Sequence, residues 1–332
     1  MKKTLLIKVL AAVLVLIGCV VAQRVNAEMI RVVTVNGVNG QVLNTYYASD
    51  VDYFEFGERT VVFPFAEFAA DNKNNIVFHL APGVKFKMIK VQGGTYALQG
   101  VSSWSTAQKT RDLSDYYIAE FECTQGLWKA VKGSVPASQS ATGDDMPVAR
   151  VSWDMIMGSA SDTFLKLLNA KMSQIKANSE ADVVAALGNK EFRLPNEWEW
   201  EYAAAGGKDW ASLKYTYSGT TGEGATVLNT VAVNRVSPNY ASSVAVVGSK
   251  KPNNLGLYDM SGNVWEYCSG LGYSGYETTP GYLNGSSRWN SSDRTSRGGS
   301  WTNSIVGNFL VSYRGISGSS DEFNFLGFRL VL

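Results

Sequence analysis

The sequence predicts an α+β fold with little regular structure, on three observations. Short apolar-alternating runs such as Ile30–Val35 and Phe86–Val91 are punctuated by Asn-Gly and Gly-Gly steps. Two stretches carry the main helical signatures, Ser161–Ile175 and the one opening at Asn196. From Gly206 onward the chain is rich in Gly, Ser, Asn and Tyr, which reads as long loops held by short strands.

Residues 1–27 have the form of a bacterial export signal: Met1-Lys-Lys, then an apolar stretch from Val9 to Ala22, too short to span a bilayer comfortably. Two processing sites compete. Leu16-Ile17-Gly18-Cys19 resembles a lipobox and would lipidate Cys19; Val25-Asn26-Ala27 would release Glu28. Lipidation is the favoured reading and puts the protein at the cell surface or outer membrane. Cleavage after Ala27 would leave it periplasmic or secreted.

Residues 28–84 read as a small β-rich region, with runs at Ile30–Val35, Val42–Tyr47, Val61–Phe65 and Ile76–Leu80. The main domain, 85–332, opens with a strand, the Gly93-Gly94 turn and a second strand, Thr95–Leu98; Tyr116–Phe121 follows as another strand. Thr124 caps a short helix bearing Leu127, Trp128 and Val131, and Gly133 stands where a left-handed residue ends it. Phe164, Leu167, Leu168, Met172 and Ile175 form one apolar helical face. Asn196 and Glu199 make a capping-box pattern, and Glu197, Glu199 and Glu201 are assigned to capping and solvation. Near the C-terminus Trp301, Val311, Tyr313, Phe328, Leu330 and Leu332 read as strand residues. Thr302–Phe309 and Gly315–Phe325 follow neither the strand nor the helix period.

Composition excludes several function classes. With 332 residues, 45% hydrophobic and 18% charged, the chain can bury a large core. Basic and acidic residues balance at 30 and 29 without a basic stripe, so no nucleic-acid partner is expected. The only histidine is His79, which rules out a multi-histidine metal centre or a Ser-His-Asp triad. Cys123 and Cys268 belong to no C-x-x-C pair; two buried thiols are the favoured reading, a disulfide the alternative.

Several blocks, in order, resemble the formylglycine-generating-enzyme or sulfatase-modifying-factor family. They are Phe86–Gly94, Asp115–Ile118 with Thr124-Gln125, Pro147–Trp153, Phe192–Ala204, Asn254–Tyr267, Arg297–Trp301 and Leu326–Arg329. The resemblance implies an elaborated C-type-lectin-like fold with a small central antiparallel sheet, two main helices and long loops. It also implies a copper-binding cysteine pair just after the Gly-Gly-Ser-aromatic block. Here Asn303 and Asn308 lie about where that pair would be, and an amide supplies no soft thiolate. No catalytic residue and no catalytic cofactor is therefore expected. The resemblance further implies calcium around Ser261, Gly262 and Val264, with Glu266 giving the carboxylate.

The chain also resembles the variable proteins of diversity-generating retroelements, of the Treponema type, whose C-terminal codons are rewritten at adenines. A variable segment at about 284–325 follows from that resemblance. Its leading candidates are Thr302, Asn303, Ser304, Gly307, Asn308, Tyr313, Gly315, Ile316, Ser317, Asp321, Phe323, Asn324 and Phe325, with Ser287, Trp289, Asn290, Ser292 and Asp293 as a second patch. Gly298, Gly299, Arg314, Gly327 and Arg329 are expected to be frame. The expectation is a non-enzymatic monomer that binds an external ligand, a protein, through these loops. The alternative is an unvaried structural partner in an envelope assembly.

Overall fold

The computed structural model describes residues 20–24, 29–34, 41–47, 63–99, 110–238, 240–271 and 292–332. The processing sites at Cys19 and Ala27 and the candidates Ser287, Trp289 and Asn290 lie outside the described residues. Strands β1 (Val20–Arg24), β2 (Met29–Thr34) and β3 (Gln41–Tyr47) pair antiparallel in that order. β2 and β3 coincide with two β-type runs of the sequence, whereas β1 occupies residues read there as the end of the export signal.

Strands β4 (Phe65–Phe68), β5 (Ile76–Ala81) and β6 (Val84–Val91) follow, then the ribbon β7 (Gly94–Ala97) with β8 (Thr110–Leu113), and β9 (Tyr116–Ala119). β4, β5, β6 and β9 form one antiparallel sheet. β5 and β6 form a hairpin across residue 84, with Ile76 paired to Met88 and Phe78 to Phe86. Alternation explains it: Ile76, Phe78 and Leu80 are buried in the same core as Trp128 and Phe328, so residues 65–81 complete this domain. His79 points the other way, stacked 4.3 Å from Phe65 and 3.0 Å from Glu67.

The helix α1 (Gln125–Lys132) is bounded as the sequence indicates: the Thr124 side chain accepts from Leu127 N at 3.2 Å, and Gly133 has φ 85°. A short helix α2 (Trp153–Met157) is capped by Ser152. The helix expected over 161–175 is two pieces, α3 (Phe164–Ala170) and α4 (Met172–Ala177). Lys171 N bonds Leu168 O at 3.0 Å, so the turn tightens there while Phe164, Leu168, Met172 and Ile175 all remain buried in one core. α5 (Ala181–Leu187) had no signal strong enough to read. α6 (Glu197–Ala204) carries the expected capping box, and α7 (Trp210–Leu213) and α8 (Ala225–Val231) follow it.

The C-terminal half contributes β10 (Trp265–Leu271), β11 (Asp293–Arg297), β12 (Arg314–Gly318) and β13 (Leu326–Gly327), ordered β12-β11-β10-β13. The sheet is antiparallel except that β13 runs parallel to β10. Trp301 and Val311, expected in strands, lie in turns instead, and Tyr313 stands just before β12. The last five residues run extended beside β9, with Tyr117 N to Leu332 O at 3.1 Å and Ala119 N to Leu330 O at 2.8 Å. The chain end thus joins the two sheets. On its core side Phe328 meets Trp128 and Phe164 edge-on, and those two rings stack at 5.0 Å. Phe328→Ala is expected to cost about 3–5 kcal/mol, read from urea unfolding, because the cavity opens at the junction of both sheets.

Candidate recognition surface and its buried frame

Two buried arginines hold the C-terminal segment. Arg329 donates to both oxygens of Glu266, at 2.6 and 2.7 Å, and to the carbonyls of Ala119 (3.0 Å) and Tyr258 (2.8 Å). Trp200 Nε1, on α6, donates to the same carboxylate at 2.6 Å. Arg297 lies 2.6 Å from Glu201 and 2.5 Å from Glu197, and donates to Val311 O and Tyr313 O at 3.2 Å each. Arg314 reaches Glu197 at 2.6 Å.

These contacts correct the assignment of Glu197 and Glu201 to solvation. Every residue of α6 is buried, so acids on any of its faces must find guanidinium or hydroxyl partners. Glu201 also accepts from Tyr96 OH at 2.9 Å, and burial pushes its carboxyl up while Arg297 pulls it back down. Glu199 keeps its capping role and adds a two-pronged pair with Arg193 at 2.6 and 2.7 Å.

The Gly298-Gly299 step turns the chain from β11 into the loops, with φ 98° and 76°. A Cβ on Gly299 would stand 2.8 Å from Asn308 O and from the Phe309 ring. Ser300 follows, fully buried; its N–H donates to Asn303 Oδ1 at 2.8 Å. Asn303 thus closes a side-chain turn in the stretch where the resemblance implies a cysteine pair. Its carbonyl accepts from Arg235 N at 3.0 Å, and Trp301 Nε1 donates to Asn324 O at 3.3 Å.

The candidate residues divide by environment. Ser304 and Phe323 are exposed, Ser292 is exposed beside β11, and Thr302, Asn308 and Asn324 are half-buried. Gly307 has open space around its Cβ direction. Phe323 stacks on Phe325 at 5.0 Å, and Phe325 and Tyr313 are themselves partly packed on the core. Other candidates belong to the frame, contrary to expectation. Gly315, Ile316 and Ser317 form part of β12, and a Cβ on Gly315 would meet Ser296 Oγ at 2.6 Å and the Trp265 ring at 2.8 Å. Asp293 and Ser317 are buried, and Asp321 Oδ2 accepts from Gly318 N at 2.7 Å, closing a turn. These positions look aperiodic in the sequence because short edge strands and Asx turns use the same small polar residues as loops.

Sequence reasoning missed Ile305, Arg235, Tyr240 and Val246, all exposed. The Ser-Pro-Asn-Tyr turn at 237–240 was the available signal for the segment carrying three of them.

Around the turn named for calcium the side chains are engaged within the protein. Glu266 spends its oxygens on Arg329 and Trp200, and Ser261 Oγ donates to Phe309 O at 3.0 Å. Negative charge is in surplus nearby. Glu122 is fully buried and accepts from Val264 N (2.9 Å) and Asn263 Nδ2 (2.7 Å); burial, then repulsion from Asp259 and Glu266, pushes its carboxyl well up. Asp259 accepts from Gly248 N at 2.7 Å, its Oδ1 has no hydrogen-bond partner among the described residues, and burial pushes it up to about 6. Both thiols are free and buried, which raises their pKa, as the favoured reading had it.

A formylglycine-enzyme-type fold whose loop after the Gly-Gly-Ser turn is closed by an amide rather than a thiol defines the class. Residues 81–332 match the model of the sulfatase-modifying factor enzyme 1-like domain, and the chain belongs to that family. It is similar to the chaperone protein LppX of Paenibacillus barcinonensis, 30% identical over 250 residues, covering 69% of this chain and 82% of that one. It is 31% identical over 147 residues to the formylglycine-generating enzyme of Thermomonospora curvata, a match spanning 43% of this chain and 38% of the enzyme. Among solved structures it is similar to variable protein 1 of Treponema denticola, with TM-score 0.54, 30% identity, and coverage of 75% of this chain and 95% of that one. CarF shares the fold at TM-score 0.51 and 21% identity, over 74% and 97% of the chains.

Two outcomes check the site. Gly315→Val is expected to lower the melting temperature by several degrees, since both neighbours of the new side chain are buried, whereas Gly307→Ser leaves it unchanged; differential scanning fluorimetry separates them. A raised carboxyl stabilises the fold fully below the unfolded value of 3.8, and that contribution is lost as pH rises through about 6. Asp259→Asn should therefore gain stability over the parent as pH climbs from about 4 to 7, with little difference at the acid end.

Proposed function

We propose that this chain is a non-enzymatic binding protein of the cell envelope, anchored by lipid on Cys19, whose C-terminal loops recognise an external protein. One observation carries the reading: within 297–332 the structural and the outward roles fall on different residues. Arg297, Ser300 and Arg329 are fully buried and tie down the backbone, while Ser304, Ile305 and Phe323 leave their side chains at the surface and Gly307 leaves space for one. Such positions accept substitution at small cost to stability, which a diversified surface requires. Aromatic residues there supply rigid contact area, and Asn, Ser and Gly adapt hydrogen bonds. Similarity to the Treponema variable protein over three quarters of the chain supports the same reading.

The oxidase activity of formylglycine-generating enzymes is not carried over, since Asn303 is committed to a turn and both remaining cysteines are buried elsewhere. An envelope location is supported by the likeness to LppX. No helix among the described residues is long and apolar enough to cross a membrane. The chaperone named LppX favours a second reading, an unvaried envelope partner that engages other proteins.

The DNA beside the gene tests the choice. A reverse-transcriptase gene and a near copy of the final codons, differing at adenines, are expected, with the differences falling on Thr302, Ser304 and Asn324 and sparing the codons of Arg297, Gly299 and Arg329. A neighbourhood without either, together with isolates whose last codons never differ, would establish the unvaried partner instead.

A further inference from the structure

The large hydrophobic residues that are exposed among the described residues are Tyr240 (67%), Ile305 (67%), Val246 (44%) and Phe323 (44%). They come from three segments remote in sequence, yet those segments share one base. Val233, Val244 and Trp301 form a buried cluster on which Ala241, Ala245 and Phe325 pack. Arg235 N donates to Asn303 O, Ala241 N to Asn234 O, and Ala245 N to Asn263 Oδ1, which stitches the 234–246 loop to the Trp301 turn. Burying apolar side chains is favourable, so four of them left exposed on segments that share one buried cluster mark a surface made to be covered.

Arg235 lies in the same loop, exposed, with its backbone bonded to Asn303, and it makes no ion pair among the described residues. A guanidinium with free donors beside aromatic and aliphatic contact area selects a planar carboxylate flanked by apolar groups. We infer that the recognition surface is bipartite: the 234–246 loop adds a fixed half, with Arg235 as the charged anchor and Tyr240 and Val246 as apolar contacts, and the partner is a protein segment that presents a carboxylate among apolar side chains. This rests on the reading of the C-terminal loops as a binding surface and extends it to residues outside the segment expected to vary. A fixed anchor gives every version of the variable half the same docking point, so that diversification changes specificity without losing orientation.

The test uses a displayed library of random peptides, selected against the full chain. Selected peptides are expected to be rich in Asp or Glu beside apolar residues. They should lose at least about tenfold in affinity for Arg235→Ala and for Tyr240→Ala, and Arg235→Glu should recover binding when the peptide acid is replaced by Lys. Because Arg235 and Tyr240 are exposed, the variants should melt as the parent does, which separates lost binding from lost folding. Peptides that bind Arg235→Ala and Tyr240→Ala at full strength but fail on Phe323→Ser or Ile305→Ser would overturn the bipartite surface and leave the C-terminal loops as the binding site. Peptides indifferent to all four changes would overturn both. A selection that returns no peptide dependent on Arg235 also overturns the inference.

Discussion

The buried pairing of Arg329 with Glu266 is the constraint on which the rest of this domain depends. A guanidinium and a carboxylate taken from water cost several kcal/mol each, about what poor geometry could never return. Here the cost is offset because Arg329 also reaches the carbonyls of Ala119 and Tyr258, and Trp200 donates to the same carboxylate. One ion pair thereby fixes the last strand against β9, β10 and α6 at once. Shifting the C-terminal strand by a residue would put Arg329 among apolar groups and Phe328 against acids. The register of the chain end is consequently set by electrostatics as much as by packing.

Arg297 repeats the device against α6, with Glu197 and Glu201, and donates to the carbonyls of Val311 and Tyr313. Between these two anchors the chain makes its excursions, 302–310 and 319–325, held by buried Phe309 in the first and by Arg150 N on Phe323 O in the second. Asn303 accepts from Ser300 N and Oγ, and Asp321 accepts from Gly318 N, so turns within these excursions are closed by side chains that face inward. Where a small residue does carry load, as Gly315 does against Trp265, the position falls outside the adaptable set despite its composition.

The family resemblance and the placement of Asn303 meet at one point. In place of a thiol, an amide accepts hydrogen bonds from Ser300 N and Oγ and sets the loop's geometry. The loop shape can persist without the chemistry, because a turn needs only an acceptor of the right reach, whereas copper or disulfide chemistry needs sulfur.

Local signals were legible in the sequence and tertiary ones were not. The caps at Thr124 and Asn196, the glycine stop at Gly133 and the Ile76–Leu80 alternation are short-range effects, decided within a turn of helix or along one strand, and the structure keeps them. The arginine and glycine frame was readable too, because a Gly-Gly step and a lone Arg in an apolar ending have few other uses. What the sequence could not show was that Glu197 and Glu201 are buried, that residues 65–81 pair into the sheet with β6 and β9, or that Arg235 stands beside Asn303. Solvation of a charge and proximity of distant loops depend on what the remainder of the chain packs around them. The chain by itself determined its caps, its strand alternation and its family; only the tertiary structure decided which side chains are enclosed and which are exposed.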